Sequence, residues 1–311
     1  MDDIDLSTVI SGRRLKAPLL VNAMTGGIPE AREINRTLAE LAAEFGLGIA
    51  VGSQLIGLKE EACLESFQIV REVNPNGLVL ANVSASTEVS LAVQAVDMIQ
   101  ADGLQVHLNV PQELAMTEGD RKFKGIVDNI RELVVRLPVP VIAKEVGFGI
   151  SREVAEKLAE AGVKCLDIGG RGGTNFVAIE NERGGLFDEE MTLWGIPTAV
   201  SLIEVLSLNR DVRVIASGGL YTPLQAAKAL SIGADLVGMA GVLLKVLQRD
   251  GKEDLRHWMD TYLYRLKAIL LMTGSKKIEE LRNCPAVITG RTRQWLQARG
   301  IDVSPWARRT R

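Results

Sequence analysis

Two periods of apolar residues alternate along the chain. Short strand-like apolar runs recur eight times, and most are followed by a stretch with apolar residues at helical spacing. The first run spans 18–23 and precedes a helix over Pro29–Phe45, where Ile34, Leu38, Leu41, Ala42 and Phe45 share one face. Run 49–53 leads to a helix around Glu65–Val73 that stops before Asn74-Pro75. Run 77–83 precedes a helix at 89–100, and run 103–108 one at 124–137. Run 139–146 leads to a helix that Ser151 caps and that ends near Gly162. Run 164–168 opens a long glycine-rich loop before a helix at 197–207. Runs 212–216 and 235–239 precede helices at 223–231 and from Val242 onward. A further apolar helical segment covers about 255–272, and a basic tail follows Gly274. Eight strand–helix units in series predict a (β/α)8 TIM barrel, one domain over 1–311 with an extra C-terminal helical segment at about 254–311. The rival, a doubly wound sheet, finds no composition break to mark its second half.

The stretch 103–123 organises the candidate chemistry. Leu104, Val106 and Leu108 alternate with Gln105, His107 and Asn109, so His107 and Asn109 lie on one side of the strand. A loop carrying Gln112, Glu113, Glu118, Asp120 and Arg121 is expected to follow. Imidazole and amide groups can hold phosphate oxygens, and a carboxylate can hold Mg²⁺. The plainer alternative is a polar strand end without a ligand.

Polar or glycine residues follow the strands throughout, on the face where such barrels build active sites. They are Met24-Thr25-Gly26-Gly27, Ser53-Gln54, Asn82 with Ser84, Lys144-Glu145, the run 169–175, Ser217-Gly218-Gly219 and Ala240-Gly241. The last two lead straight into helices, where backbone N–H groups and the helix dipole favour a phosphate. Lys144 alternates with Ile142 and Val146 and is expected to point inward; beside an electron-accepting ring it would stabilise the anionic reduced form, and otherwise it would pair with a carboxylate. Thr25, Ser53, Asn82 and Thr174 suit a polar ring edge or serve as strand-end caps. Trp194 and Phe148 are read as packing residues, His257 as structural, and Arg308-Arg309 as a solvated end.

Composition narrows the class. A net charge of −3 leaves no general field for nucleic acid. The three scattered cysteines, Cys63, Cys165 and Cys284, predict neither a metal cluster nor a disulfide framework, which points to a reducing cytoplasm. The opening MDDIDLS is acidic, unlike a signal peptide, and no apolar run is long enough to span a bilayer. With only two histidines, few side chains remain for acid–base work, so a cofactor is expected to carry it.

Together these motifs resemble the type 2, FMN-dependent isopentenyl-diphosphate isomerases. The carriers are AMTGG (23–27), AVGSQ (50–54), QVHLNVPQE (105–113), EGDR (118–121), KEVGFG (144–149), GGTNF (172–176), IEN (179–181), WGI (194–196) and ASGGL (216–220). The resemblance implies a TIM barrel assembled as a homotetramer or homo-octamer. It implies interconversion of isopentenyl and dimethylallyl diphosphates, with flavin reduced by NADPH and with Mg²⁺. It places Met24, Thr25, Gly26, Ser53, Asn82, Lys144, Thr174, Gly218, Gly219, Leu220, Ala240 and Gly241 on FMN. It puts Gln112 at the allylic carbons as a proton relay, His107, Asn109, Ser53 and Gln54 on the substrate, and Glu113 on Mg²⁺.

Two departures accompany it. Family members usually begin with a longer N-terminal segment whose Arg-Lys pair and histidine clamp the diphosphate, whereas here the first run already starts at Pro18. Ser84 stands where glycine is usual, able to crowd a flavin, and Thr117 where proline is usual. Competing readings are an FMN-dependent hydroxy-acid oxidase or dehydrogenase, which would want a histidine base beside the flavin, and a catalytically impaired flavin-binding paralogue.

Overall fold

Two short antiparallel strands, β1 (Thr8–Ile10) and β2 (Arg13–Leu15), lead into the barrel, an element the period analysis did not anticipate. The barrel strands are β3 (Leu19–Val21), β4 (Gly48–Ala50), β5 (Val79–Ser84), β6 (Gly103–Leu108), β7 (Val141–Glu145), β8 (Cys165–Asp167), β9 (Arg213–Ser217) and β10 (Leu236–Met239). They pair in chain order, all parallel, and β10 closes on β3. The computed structural model describes residues 1, 3–10 and 12–310. The eight-strand expectation holds, so the fold is a TIM barrel.

Helices alternate with these strands: α1 (Pro29–Phe45), α2 (Leu55–Lys59), α3 (Glu65–Val73), α4 (Val89–Met98), α5 (Val110–Ala115), α6 (Ile126–Arg136), α7 (Arg152–Glu160), α8 (Phe176–Glu182), α9 (Thr198–Leu206), α10 (Pro223–Ile232) and α11 (Gly241–Asp250). Local chemistry sets many of their ends. Pro29 opens α1 and Gly46 closes it in the left-handed region. The Ser151 hydroxyl accepts from the Val154 N–H at the start of α7, as expected. Thr222 and Gln225 make a reciprocal capping box on α10. The outward residues of the strands and the inner faces of the helices form one continuous apolar layer.

The C-terminal segment folds back on the barrel wall. α12 (Lys252–Met272) buries Leu255, Met259, Tyr262, Leu266 and Leu270 against α10 and α11. α13 (Ile278–Arg282) lies on α10, α14 (Gly290–Ala298) on α9, and α15 (Ser304–Ala307) ends the chain's helices. Of the tail pair expected to be a solvated end, Arg308 is exposed and Arg309 is not. Arg309 donates to the carbonyls of Ser231 and Ile232, and its guanidinium lies 5.9 Å from the Trp306 ring centre. His257 is exposed on α12. No described helix is long and apolar enough to cross a membrane.

One clamp fastens α14 to the wall. The Glu204 carboxylate, 1% exposed, accepts from the Arg299 guanidinium at 3.2 Å, the Trp295 indole at 3.1 Å and the Arg152 N–H at 3.0 Å. Arg299→Ala leaves that carboxylate without its cation. The expected loss is about 2–3 kcal/mol in denaturant unfolding, less than for a fully buried pair because two donors remain and Arg299 is partly solvated.

Candidate active site

The barrel interior changes from apolar to polar within one step of two residues. Alternation puts residues i and i+2 on the same face of a strand. On the lumen side this yields Leu20 then Asn22, Leu80 then Asn82, Ile142 then Lys144, Cys165 then Asp167, and Ile215 then Ser217. The lower members cluster with Ile10 and Leu15 of the β1–β2 pair, which close the barrel's floor. The upper members and Gln105 are buried polar groups and therefore need partners.

They find them in each other. Lys144 Nζ lies 3.1 Å from an Asp167 oxygen, so the expected inward lysine is paired with a carboxylate. Asp167 also accepts from the Asn22 amide at 2.6 Å, from the Ser217 hydroxyl and from the Gly169 N–H. Gln105 donates to Asn22 Oδ1 at 3.0 Å, and Asn82 donates to Gln105 Oε1 at 3.2 Å. His107 Nδ1 meets Asn82 Oδ1 at 2.8 Å. Burial first, and the Lys144 charge second, depress the His107 pKa to about 4. His107 is therefore neutral at pH 7. Its contribution to stability is complete above the ordinary value of 6.5 and is lost as pH falls through 4. Nitrogen-15 NMR of histidine-labelled protein is expected to show one ring titrating near pH 4.

Above this layer opens a cavity of about 280 Å³ lined by Met24, Thr25, Lys144, Thr174, Gly218, Gly219, Leu220, Ala240 and Gly241 among others. Nine residues expected at the cofactor thus converge. At one end α11 begins at Gly241, where an added Cβ would meet only the Thr174 hydroxyl at 3.7 Å. That helix end suits a phosphate. Gly218 and Gly219 have φ of +106° and +79°, and a Cβ on either would strike the backbone of Gly170 or Gly172 within 2.0 Å. These glycines are required by loop-on-loop packing as well as by any ligand. Buried Lys144 lines the other side of the cavity, where a cation fits an electron-rich ring. Behind it Glu145 accepts the N–H groups of Phe148 and Gly149, and burial pushes its carboxyl up to about 8.

The end of β6 runs into α5, not into a loop: Val110-Pro111 occupies the first helical turn, so Gln112 and Glu113 stand on a helix. His107, Asn109 and Glu113 line one small pocket with Asp120 and Lys122. Asn109 donates to Glu113 Oε1 at 2.7 Å, and the Asp120 N–H donates to Glu113 Oε2 at 2.8 Å. Arg121 gathers the carbonyls of Glu113, Met116 and Gly119, which shapes the turn beyond. Ser84 lines this pocket and contacts Ser86; it is not on the upper cavity. Gln112 donates at 2.9 Å to Glu180 Oε1, whose other oxygen pairs with Arg183 at 2.9 Å. Among the described residues no group of three or more His, Cys, Asp or Glu could hold a metal. A Mg²⁺ at Glu113 would fit only as a metal that keeps water and takes further oxygens from phosphate.

Several expected residues lie elsewhere. Gln54 is fully buried behind β5, where its side chain bonds the Asn82 N–H and the Ala95 carbonyl; it braces α4 and lines neither cavity. Gly26 sits beneath Phe67, where a Cβ would meet the ring at 2.0 Å, and is absent from the cavity lining. Ser53 is exposed beyond it, and Asn82 belongs to the polar layer below. Trp194 is 62% exposed, not packed, whereas Phe148 is buried. Asn22, Gln105, Asp167 and Glu180 drew no role from the sequence. For Asn22 and Asp167 the signal was a polar residue two positions beyond an apolar one in or at the end of an apolar strand; Glu180, on α8, gave no such signal.

Comparisons with known proteins follow the geometry. The family model described as FMN-dependent dehydrogenase matches residues 85–287. The chain is 51% identical over 297 residues to the isopentenyl-diphosphate delta-isomerase of Moorella thermoacetica, covering 96% of this chain and 86% of that one. It is 46% identical over 311 residues to that of Symbiobacterium thermophilum, covering 99% and 86%. Among solved structures, a lactate oxidase of Pediococcus acidilactici superposes with a TM-score of 0.70 at 15% identity, covering 92% of this chain and 80% of that one. A mandelate oxidase variant carrying an FMN adduct superposes with 0.67 at 14% identity, covering 93% and 85%. At such identities these structures share the fold.

Proposed function

Since the chain belongs to the isopentenyl-diphosphate delta-isomerase family, we propose that it interconverts isopentenyl and dimethylallyl diphosphates by a 1,3-proton shift, using FMN as cofactor, and that Glu113 would help hold the Mg²⁺ that accompanies the substrate's diphosphate. The upper cavity's lining would hold FMN, and once reduced by NADPH the flavin would supply the proton donor and acceptor for the allylic carbons. The observation that carries this reading is the lining of that cavity. Its ionisable side chains are Lys144 and Tyr221, with no carboxylate and no histidine among the described lining residues. A proton shift run by the protein alone would want a pair of groups with separated pKa values there.

The remaining roles fall to named residues. Lys144 holds positive charge toward the ring, with Thr25, Thr174 and Met24 along its edge. Asn82, Ser53 and Gly26 act from the adjoining layer and loop, shaping the seat more than touching it. N–H groups of Gly218, Gly219, Leu220, Ala240 and Gly241 surround the phosphate. Gln112, its amide nitrogen committed to Glu180, offers Oε1 toward the carbons as a relay. His107 and Asn109 meet the diphosphate. Leu186, Leu193 and Trp194, all more than 60% exposed, support assembly into a homotetramer or homo-octamer. The thiols of Cys63, Cys165 and Cys284 are buried and reduced, which suits a reducing cytoplasm.

The test is an anaerobic incubation with isopentenyl diphosphate, FMN, Mg²⁺ and NADPH in D₂O, followed by proton NMR. Deuterated dimethylallyl diphosphate is expected. Oxidation of a 2-hydroxy acid with peroxide release would favour the oxidase reading instead, and bound, reducible flavin without turnover the impaired paralogue. The missing histidine on the cavity already weighs against the oxidase.

A further inference from the structure

The polar layer is a hydrogen-bond chain with a direction. Asn22 is fixed at both ends: its Oδ1 accepts the Ala23 N–H at 2.9 Å, and its amide nitrogen donates to Asp167, which receives donors on every side. Asn22 Oδ1 can therefore only accept from Gln105 Nε2. That commits Gln105 Oε1 to accept from Asn82 Nδ2, at 3.2 Å. Asn82 Oδ1 is then an acceptor, and the His107 nitrogen 2.8 Å away must carry the hydrogen. Among the described residues the Asn82 side-chain amide bonds only Gln105 and His107, so Gln105 decides which way it faces.

We propose that Gln105 is a positioning residue for the diphosphate pocket, relaying the orientation of Asn22 through Asn82 so that His107 is held as its Nδ1–H tautomer with Nε2 as an acceptor. Gln105 is fully buried, lies outside both cavities and touches no expected ligand. Whatever atom meets His107 in the pocket must then bring its own hydrogen: a water, or a protonated phosphate oxygen. A fully ionised phosphate oxygen does not suffice. Only the naming of the ligand rests on the proposed function; the tautomer itself is a property of the chain.

The experiment reads the tautomer without substrate, so it cannot fail merely because the isomerase reading fails. FMN-loaded protein labelled with ¹⁵N-histidine contains only His107 and His257, and His257→Asn assigns the pair. At pH 7 the wild type is expected to show protonated Nδ1 and unprotonated Nε2 at His107. Gln105→Met frees the Asn82 amide to turn over, and the tautomer ratio is expected to shift about fivefold or more toward Nε2–H, the scale of one neutral hydrogen bond. Gln105→Glu, buried and protonated, can donate to Asn22 and accept from Asn82, and is expected to restore the Nδ1–H form. Nε2–H in the wild type overturns the proposal. So does an unchanged ratio in folded Gln105→Met. Should that variant fail to fold, loss of the Nδ1–H form in Gln105→Glu counts against the relay and its retention supports it.

Discussion

Lys144→Met is expected to unfold at much lower denaturant than the wild type, by about 3–5 kcal/mol, and to lose its FMN on gel filtration. The cause of the first effect is Asp167. Its carboxylate is wholly buried, and Lys144 is its only cationic partner among the described residues. Removing the ammonium strands a charge, whereas removing both groups does not. The Lys144→Met/Asp167→Asn double variant should therefore recover most of the stability while remaining unable to retain FMN or turn over. That split separates the lysine's structural work from its work on the flavin. A single variant as stable as the wild type would mean that the Asn22, Ser217 and Gly169 donors suffice for Asp167. A double variant that kept FMN would remove Lys144 from the cofactor's seat.

Glu113→Gln is expected to lower turnover about a hundredfold, the equivalent of one charge-assisted contact of roughly 1.5–3 kcal/mol, while FMN content stays unchanged. Glu113 lies on the small pocket and not on the upper cavity, which is why the two readouts should part. Glutamine can accept from Asn109 or from the Asp120 N–H through its single carbonyl, but not from both. Excess Mg²⁺ should recover part of the loss. Wild-type turnover with an unaltered Mg²⁺ requirement would take this carboxylate off the metal.

The strand–helix units were legible from the alternation of two periods, and several helices add their own start or stop signals. Pro29 and Gly46 bracket α1, Asn74-Pro75 ends α3, and Ser151 and Thr222 cap α7 and α10. Elements whose signals conflict were not legible. A loop is expected after Leu108, yet Pro111 sits in the first helical turn, where no N–H is needed, and α5 begins there. The β1–β2 pair is three residues per strand and shows no sustained alternation.

At the site, side chains at strand ends were found because polarity there is conspicuous. Those inside strands were not. Asn22 and Asp167 sit in apolar runs, and a sequence does not reveal that five strands each turn polar at the same height. Gln54 was misplaced because a position after a strand does not state whether its side chain turns toward the mouth or back into the wall. Its bonds to the Asn82 N–H and the Ala95 carbonyl give the second answer.

Ile10 and Leu15, wedged against the apolar base of the lumen, make the barrel a blind vessel. Among the described residues, the layer beneath Asp167 is the cluster of Leu20, Leu80, Ile142, Cys165 and Ile215, which offers no hydrogen-bonded chain for a proton to leave through the floor. Isotope must enter from above, past whatever fills the upper cavity. The labile hydrogens on Asn22, Gln105 and Asn82 should then exchange freely when the vessel stands open and very slowly once it is stoppered. The rate at which these buried amides take up deuterium would be a clock for how often the stopper lifts.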